Sequence, residues 1–326
     1  MNPIVKAAAQ LRLDGLKRAG IEVPVPPLPG TPAAAPVTAP AAAPVFHAPA
    51  AASAVPAAAP ATRPAAVPVA PAQPAVTQSG NAQARRSREV LLDLARLERE
   101  GYLVPSQGRS QLAEQMRIIK RPLLANARGE SAQPIQRANL IQVVSAMPGE
   151  GKTFFAMNLA MSIAMEVDHS VLLVDADVLR PSVLARYGIE PSRGLMDVLL
   201  SPSLDLSEVL LRTNVPKLSL LPAGTADARS TEMLASTAMA ALLDQLAAKY
   251  SDRIIVFDAP PLIPTTESRV LASRVGQVVM VVEADSTTQA QATQAYAAVA
   301  QCPVVLSVLN KCRKGTSETY GYYQAR

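Results

Sequence analysis

A short stretch of the chain, LIQVVSAMPGEGKTFFAMNLA, combines an apolar run, a glycine-rich turn and the start of a helical pattern. Gly149 and Gly151 allow backbone N–H groups to approach an anion closely, and the helix N-terminus that follows adds its positive dipole end. Lys152 contributes a charge for phosphate, and Thr153 contributes a hydroxyl ligand for Mg²⁺. The stretch therefore predicts a phosphate-binding loop for a nucleotide, although the strict pattern G-x4-G-K-[ST] has glycine where this chain has Ala146.

Acidic residues follow two further apolar runs. The run VLLVDADVLRPS contains Asp175 and Asp177, and the run IIVFDAPP contains Asp258. If both runs are parallel strands, these carboxylates lie at the same edge of the sheet as the loop, where Mg²⁺ needs oxygen ligands. Each aspartate alone is equally typical of a turn cap. Together with the loop they favour a metal site, with Thr153, Asp175 and Asp258 as its ligands.

The elements that must hold these residues alternate regularly after residue 138. Apolar runs predict strands at 140–145, 171–175, 218–221, 254–258, 278–283 and 304–310. Helical stretches are predicted at 152–166, 195–212, 231–249, 265–274 and 287–300. Continuously apolar strands that alternate with helices are typical of a parallel sheet covered on both faces. We therefore predict an α/β fold of the P-loop NTPase type, with its ligand at the carboxyl ends of the strands.

Composition divides the chain before and after this pattern. We predict five segments. They are a short N-terminal helix over residues 1–20, a disordered Pro/Ala-rich linker over 21–84, a helical oligomerisation or docking segment over 85–130, the P-loop domain over 131–312 and a flexible tyrosine-bearing tail over 313–326. The linker is predicted because frequent prolines prevent helices and sheet ladders. In the third segment we predict one helix over 85–100, ended by Gly101. A second is predicted over 110–127, which Pro122 is expected to kink or stop.

Charge and hydropathy argue against a nucleic-acid-binding protein and against a protein with a membrane span or a signal peptide. The net charge is only +5, the basic residues are scattered and aromatic residues make up 3% of the chain, so no nucleic-acid partner is expected. No stretch has 18 apolar residues without proline or charge, and the N-terminus lacks the apolar core of a signal peptide. We therefore expect a cytoplasmic protein.

Three of the seven tyrosines, Tyr320, Tyr322 and Tyr323, fall within the last seven residues. A chain terminus rarely buries aromatic rings, so these tyrosines either dock on a partner or act through their hydroxyls. Asn310, at the end of the last predicted strand, has an amide donor and acceptor that suit the edge of adenine. It is equally ordinary as a turn residue.

Together, these motifs resemble the bacterial tyrosine kinase (BY-kinase) family. That family has a Walker A loop, a second aspartate motif called Walker A′, a Walker B strand and a C-terminal tyrosine cluster. The corresponding stretches here, in the same order, are SAMPGEGKT, VLLVDADVLRPS, IIVFDAPP and YGYY. Three further stretches resemble the tyrosine autokinases associated with exosortase and exopolysaccharide loci, namely RIIKRPLLANA, LRTNVPKLSLLPAG and TTESRVLA.

The resemblance implies an ATP- and Mg²⁺-dependent protein-tyrosine kinase that phosphorylates its own tyrosine cluster and regulates exopolysaccharide polymerisation or export. The nucleotide contacts are then expected from Pro148, Gly149, Glu150, Gly151, Lys152, Thr153, Phe154, Arg180 and Asn310. The catalytic candidates are Lys152, Asp175 and Asp177, and either aspartate is a candidate for the base that accepts the tyrosine proton. The phosphoacceptors are expected to be Tyr320, Tyr322 and Tyr323.

The resemblance also implies partners. The family's oligomerisation motif, E-x2-R-x2-R, corresponds here to Glu114, Arg117 and Lys120. A ring-like homo-oligomer that phosphorylates in trans is therefore expected, although lysine lacks the bidentate fork of arginine. A separate membrane polysaccharide copolymerase is expected to activate the kinase and to recruit it to the inner face of the membrane.

Two alternatives remain at the level of sequence. MinD/ParA-type ATPases share the sheet, the loop and the aspartates, but they carry a further lysine where this chain has Met147. A nucleotide-binding regulator without transfer activity is conceivable because Leu179 occupies the position of the arginine in the family's frequent D-x-D-x-R motif.

Overall fold

The computed structural model describes residues 88–201, 203–249 and 253–312. The predicted N-terminal helix, the Pro/Ala-rich linker and the tyrosine tail lie outside these ranges. Within them, none of the helices combines the length and the apolar character that crossing a membrane requires.

In the described part of the chain, eight strands form one sheet. They are β1 Arg88–Val90, β2 Leu140–Ser145, β3 Ser170–Asp175, β4 Leu211–Thr213, β5 Leu218–Leu221, β6 Arg253–Asp258, β7 Gln277–Glu283 and β8 Val304–Asn310. Their order in the sheet is β1-β4-β5-β3-β6-β2-β7-β8. Every neighbouring pair is parallel except β4 with β5. The six predicted strands are all present, and the predicted α/β fold class is confirmed.

Helices cover both faces of this sheet. They are α1 Leu94–Arg99, α2 Gln111–Ala127, α3 Lys152–Ala164, α4 Val183–Tyr187, α5 Leu195–Leu200, α6 Leu206–Val209, α7 Ser230–Ala235, α8 Thr237–Lys249, α9 Glu267–Ala272 and α10 Gln289–Ala298, with a 3₁₀ turn at Pro105–Gln107. One apolar cluster contains buried residues of α1 to α4, and a second contains buried residues of α5 to α10.

The strands supply side chains to the two clusters in alternation. In β2, Ile141 and Val143 belong to the first cluster, whereas Leu140 and Val144 belong to the second. Successive strand residues face opposite sides of a sheet, so a strand buried on both faces must be apolar throughout. Each fully buried aliphatic side chain stabilises the fold by roughly 1.5–3 kcal/mol, and this anchors the loop that follows β2 from both sides.

Two predicted helices are wrong in part because a long-range strand pair replaces them. Within the described residues, the predicted helix 85–100 is helical only at α1, and Arg88–Val90 form β1 instead. The predicted helix 195–212 breaks into α5 and α6 and ends in β4, which pairs with β1 in parallel. Asn214 fastens this pair, since its Oδ1 accepts the Leu92 N–H at 2.8 Å. The local helical pattern could not reveal a partner more than a hundred residues away.

The sequence predicts that Pro122 kinks or stops its helix, and the structure shows that it does not stop it. Helix α2 continues through Pro122 to Ala127. Leu123 and Leu124 are buried in the first cluster, and Gln277 Nε2 donates to the Leu123 carbonyl at 3.0 Å. Tertiary packing thus compensates for the one helical hydrogen bond that proline removes.

Candidate active site

The loop between β2 and α3 has the backbone that its two glycines predict. Gly149 has φ 90° and Gly151 has φ 97°, both in the left-handed region that side chains with a Cβ rarely enter. Gly151 is also the N-cap of α3, and its carbonyl accepts the Phe155 N–H at 2.9 Å. Ala146 is buried and lacks a positive φ, so this fold does not need glycine there.

The sheet brings Lys152 against two aspartates. Asp175 ends β3 and Asp258 ends β6, and the two residues are direct partners across these parallel strands. Lys152 Nζ lies 2.8 Å from Asp177 Oδ2 and 3.7 Å from Asp258 Oδ1. Burial opposes the charge of Lys152, yet the carboxylates of Asp258 and Asp177 leave its pKa above the ordinary value. The lysine is therefore a fixed cation at the carboxyl edge of the sheet.

Asp175 organises the segment that follows β3. Its Oδ2 accepts the backbone N–H groups of Ser182 and Val183, each at 3.0 Å, and its Oδ1 accepts the Asp177 N–H at 3.3 Å. Burial, followed by the charge of Asp258, raises the pKa of Asp175 to about 7 despite these hydrogen bonds. A neighbouring cation would stabilise the ionised form.

The carboxylate of Asp258 is buried, with the Lys152 ammonium 3.7 Å from its Oδ1. Within the described ranges, neither of its carboxylate oxygens accepts a hydrogen bond. Burial raises the pKa of Asp258 to about 6, against the opposing effects of the Lys152 charge and the nearby Thr153 hydroxyl. Buried carboxylates normally have partners, so an orphaned pair of oxygens indicates a cation that binds here.

These residues fit Mg²⁺. Thr153 Oγ1 lies 3.5 Å from Lys152 Nζ and 3.4 Å from Ser182 Oγ, close to the orphaned carboxylate. The described residues contain no cluster of three or more acidic, histidine or cysteine side chains that could hold a metal ion by themselves. Mg²⁺ takes only one or two protein ligands and keeps water and phosphate oxygens as the others, so a full protein cage is not required.

A cleft of about 620 Å³ opens beside the loop. This volume lies in the range of small-molecule sites. Seven of the nine predicted nucleotide contacts line it, together with the catalytic candidate Asp177; the seven are Pro148, Gly149, Gly151, Lys152, Thr153, Phe154 and Arg180. The ring of Phe154 packs against the ring of Tyr102, and the two ring centroids lie 5.0 Å apart.

Two predicted nucleotide contacts lie elsewhere. Glu150 is buried, and its Oε2 accepts the Met147 N–H at 2.9 Å. Asn310 Nδ2 donates to the Glu150 carbonyl at 2.9 Å, so the amide predicted to meet adenine contacts the loop backbone instead. Neither residue belongs to the lining of the cleft.

Sequence reasoning missed the opposite wall of the cleft. That wall includes Leu179 and residues that follow β3 and β6, among them Ser182, Arg186, Pro260, Pro261, Pro264 and Thr265. Their signal was the proline-rich run DAPPLIPTT immediately after the β6 aspartate, where the fold places its ligand.

The three expected oligomerisation residues do not share one exposed surface. Glu114 and Arg117 form an exposed ion pair, and Arg117 Nη2 also donates to the Gly108 carbonyl at 2.9 Å. Lys120 is only 4% exposed, and its Nζ lies 2.6 Å from both the Ser162 carbonyl and a carboxylate oxygen of Glu166. The ammonium of Lys120 is therefore bound within the chain, and the part of Lys120 in the oligomerisation motif stays a prediction.

Comparison with known proteins adds to this geometry. An AAA domain family matches residues 138–302, half of the chain. Tyrosine-protein kinase YwqD of Bacillus subtilis (strain 168) is 30% identical over 220 residues, which cover 67% of this chain and 89% of YwqD. The succinoglycan biosynthesis transport protein ExoP of Rhizobium meliloti (strain 1021) is 29% identical over 202 residues. That match covers 61% of this chain, but the chain spans only 24% of ExoP.

The fold is similar to that of a solved kinase domain. The kinase domain of the Escherichia coli tyrosine kinase ETK superposes with a TM-score of 0.55 at 22% identity, covering 71% of this chain and 98% of that domain. At this identity the likeness shows the fold alone, whereas the match to YwqD shows the family. The chain therefore belongs to the bacterial tyrosine-protein kinases of the P-loop type.

Proposed function

We propose that this protein transfers the γ-phosphoryl group of ATP to Tyr320, Tyr322 and Tyr323 of a second copy of the same chain. One observation carries the proposal. Lys152, on a loop shaped for phosphate, is held between the carboxylates of Asp177 and Asp258 at the edge of the cleft. A phosphate-binding lysine and an acidic cation site side by side are what phosphoryl transfer requires, because its catalysis consists mainly of positioning and charge stabilisation.

In this proposal the loop backbone and Lys152 hold the β- and γ-phosphates. Thr153 and Asp258 hold Mg²⁺, with Asp175 acting directly or through water, and the ion supplies charge neutralisation at the phosphate oxygens. Arg180 and Arg186 line the same cleft and are available to pair with phosphate oxygens. Transfer forms the bond from the tyrosine oxygen to phosphorus, breaks the bond from phosphorus to the bridging oxygen, and releases ADP.

The tyrosine proton needs an acceptor, because a phenol is neutral near pH 7. We assign this role to Asp177 rather than Asp175. Asp177 lines the cleft, whereas both oxygens of Asp175 accept backbone hydrogen bonds. When the ammonium of Lys152 turns to phosphate, Asp177 Oδ2 loses its 2.8 Å partner and becomes free to accept the proton.

Family membership supports the tail tyrosines as phosphate acceptors, and so does the length of chain between the described fold and these tyrosines. Tyr320 follows Cys312, the last described residue, by eight positions. Eight extended residues span at most about 30 Å, which is sufficient to reach the site of an adjacent copy. We therefore propose a homo-oligomer of ring type in which tails are phosphorylated between neighbours.

The proposed setting is exopolysaccharide polymerisation or export, at the cytoplasmic face of the membrane. ExoP, which is named for succinoglycan biosynthesis and transport, is several times longer than the region it shares with this chain. A separate membrane copolymerase would supply such a function here and act as the activator.

The test is mass spectrometry of the full chain after incubation with Mg-ATP, with and without the cytoplasmic tail of a copolymerase. Wild-type protein is expected to gain phosphate on Tyr320, Tyr322 or Tyr323, and Lys152→Met is expected to gain none. Lys217→Met is the matched control, because it removes a lysine ammonium of the distant turn before β5 that donates to backbone carbonyls rather than to the aspartates of the site. Tyr296, which is partly exposed on α10, should stay unmodified.

A mixing experiment separates trans from cis transfer. A chain carrying Lys152→Met with an intact tail is incubated with an active chain whose three tail tyrosines are changed to phenylalanine. Phosphate on the inactive chain establishes transfer between copies. An unmodified tail in every mixture, with ATP still hydrolysed, would refute the autokinase and support a positioning ATPase of the MinD/ParA type.

A further inference from the structure

Three residues beyond the cleft contact the phosphate loop, and a fourth, Glu283, pairs with one of them. Lys311 Nζ donates to the Gly149 carbonyl at 2.8 Å and pairs with Glu283 at 3.0 Å. Asn310 Nδ2 donates to the Glu150 carbonyl at 2.9 Å. Thr287 donates its hydroxyl to the Glu150 carboxylate. We call Glu283, Thr287, Asn310 and Lys311 the loop anchor.

The backbone of the anchor is adapted to this contact. Lys311 has φ 57°, a left-handed conformation that is uncommon for lysine and persists where surrounding contacts hold it. The Asn310 carbonyl accepts the Ala284 N–H at 2.9 Å, which fastens the end of β8 to the turn after β7. A Cβ on Gly151 would overlap the Asn310 amide, so the anchor packs directly on the loop.

Peptide geometry gives these contacts a consequence for ligand binding. In a planar trans peptide, the carbonyl of one residue and the N–H of the next point in opposite directions. A donor that fixes the Gly149 carbonyl therefore also orients the Glu150 N–H away from the anchor. In the same way, the bond to the Glu150 carbonyl orients the Gly151 N–H. Both amides belong to the loop whose N–H groups are expected to bind phosphate.

We propose that Lys311 and Asn310 are positioning residues for the nucleotide: they hold two consecutive loop carbonyls outward so that two consecutive amides face the phosphates. The inference rests on the proposed nucleotide site. It assigns Asn310 to the phosphate loop rather than to adenine, and it gives Lys311 a role that its sequence did not indicate. Since the loop is shared by every phosphate ligand, the effect is independent of the base.

The test compares a phosphate ligand that carries a nucleobase with a phosphate ligand that does not. The affinities of the full chain for ADP and for inorganic tripolyphosphate are measured by calorimetry in the presence of Mg²⁺. Lys311→Met is expected to weaken both by the same factor, about tenfold, because the Gly149 carbonyl loses its charged donor; tenfold corresponds to about 1.4 kcal/mol. Lys311→Arg is expected to restore most of the affinity. Lys217→Met should bind like the wild type.

Salt separates positioning from simple charge. If Lys311 acted only as a distant positive charge, the loss of affinity in Lys311→Met would largely disappear in 1 M salt, where the screening length is about 3 Å. If Lys311 acts through its 2.8 Å bond to the Gly149 carbonyl, the loss persists. A loss that disappears at high salt would therefore overturn the proposal, and a loss that persists supports it.

The remaining outcomes are also distinct. Wild-type protein that binds neither ligand would refute the nucleotide site itself, and the anchor with it. Wild-type binding with no effect of Lys311→Met would refute the anchor alone. A loss confined to ADP would likewise overturn it, because that result requires a contact with the nucleoside. The half-exposed position of Lys311 allows each variant to fold, and the thermal midpoint of each is checked alongside.

Discussion

The buried carboxylate of Asp258 is expected to destabilise the protein when no cation is bound. Its pKa rises from 3.8 to about 6 because the group is buried. Since one pKa unit corresponds to about 1.4 kcal/mol, ionised Asp258 costs the metal-free fold about 3 kcal/mol at pH 8. The substitution Asp258→Asn removes this charge. It should therefore raise the thermal midpoint, by roughly 6–12 °C at 2–4 °C per kcal/mol.

The effect of the Asp258 charge on the stability of the protein depends on pH. A carboxyl group whose pKa is raised on folding binds more protons in the native state, so stability falls as the pH rises from about 4 through about 6. At pH 4 little of this loss has occurred, and the variant and wild type should have similar midpoints. At pH 5 about half of the difference is already present, because the carboxyl of the unfolded chain is mostly ionised there. At pH 8 they should differ most. Asp175, whose pKa is about 7, adds a decline of the same sign that reaches above pH 6.

The assay is thermal unfolding followed by circular dichroism in EDTA at pH 4, pH 5 and pH 8. Asp244→Asn is the matched control, because Asp244 is an exposed aspartate paired with Arg137. Addition of Mg-ADP should stabilise the wild type and have little effect on Asp258→Asn, because a ligand stabilises only the fold that binds it. A variant that melts below the wild type at pH 8 in EDTA would refute this account of the site.

Three substitutions test the phosphate loop and the internal contacts of Lys120 in α2. Gly151→Ala should abolish nucleotide binding, because the residue needs φ 97° and its new Cβ would overlap Asn310; equilibrium binding of ADP measures this. Gly149→Ala has free space around it and should cost only backbone strain, about 1–2 kcal/mol in denaturant unfolding. Lys120→Met should lower stability by about 1–3 kcal/mol, because the Ser162 carbonyl and Glu166 lose their donor; an unchanged unfolding midpoint would contradict the internal role of Lys120.

The central sheet and its acidic edge could be predicted from sequence because both depend on local pattern. A strand buried on both faces must be apolar throughout, and β3 and β6 each end in aspartate where that run stops. The glycines of the loop are likewise required by their own φ angles. In each case the residue and the constraint that selects it lie within a few positions of one another.

The features that could not be predicted depend on partners far along the chain. β1 and β4 are three residues each, and they pair although Arg88 and Leu211 lie more than a hundred positions apart. Lys120 is typical of an exposed helix position until Ser162 and Glu166 approach it from the end of α3. Asn310 has the residue type of an adenine contact, and only the fold reveals that the Glu150 carbonyl lies beside it.

The residues that destabilise the site are the same residues that give it a function. Lys152 carries one positive charge among Asp175, Asp177 and Asp258, so the ionised cluster has an excess of negative charge in a buried place. Burial, together with the neighbouring carboxylates, raises two aspartate pKa values, and the excess of negative charge favours a divalent cation. In the mechanism that we propose, a bound cation would offset the carboxylates, and Lys152 would turn from Asp177 to the phosphates. Binding would thus convert a strained charge cluster into a satisfied one, and the same exchange would free the carboxylate that we assign as the proton acceptor.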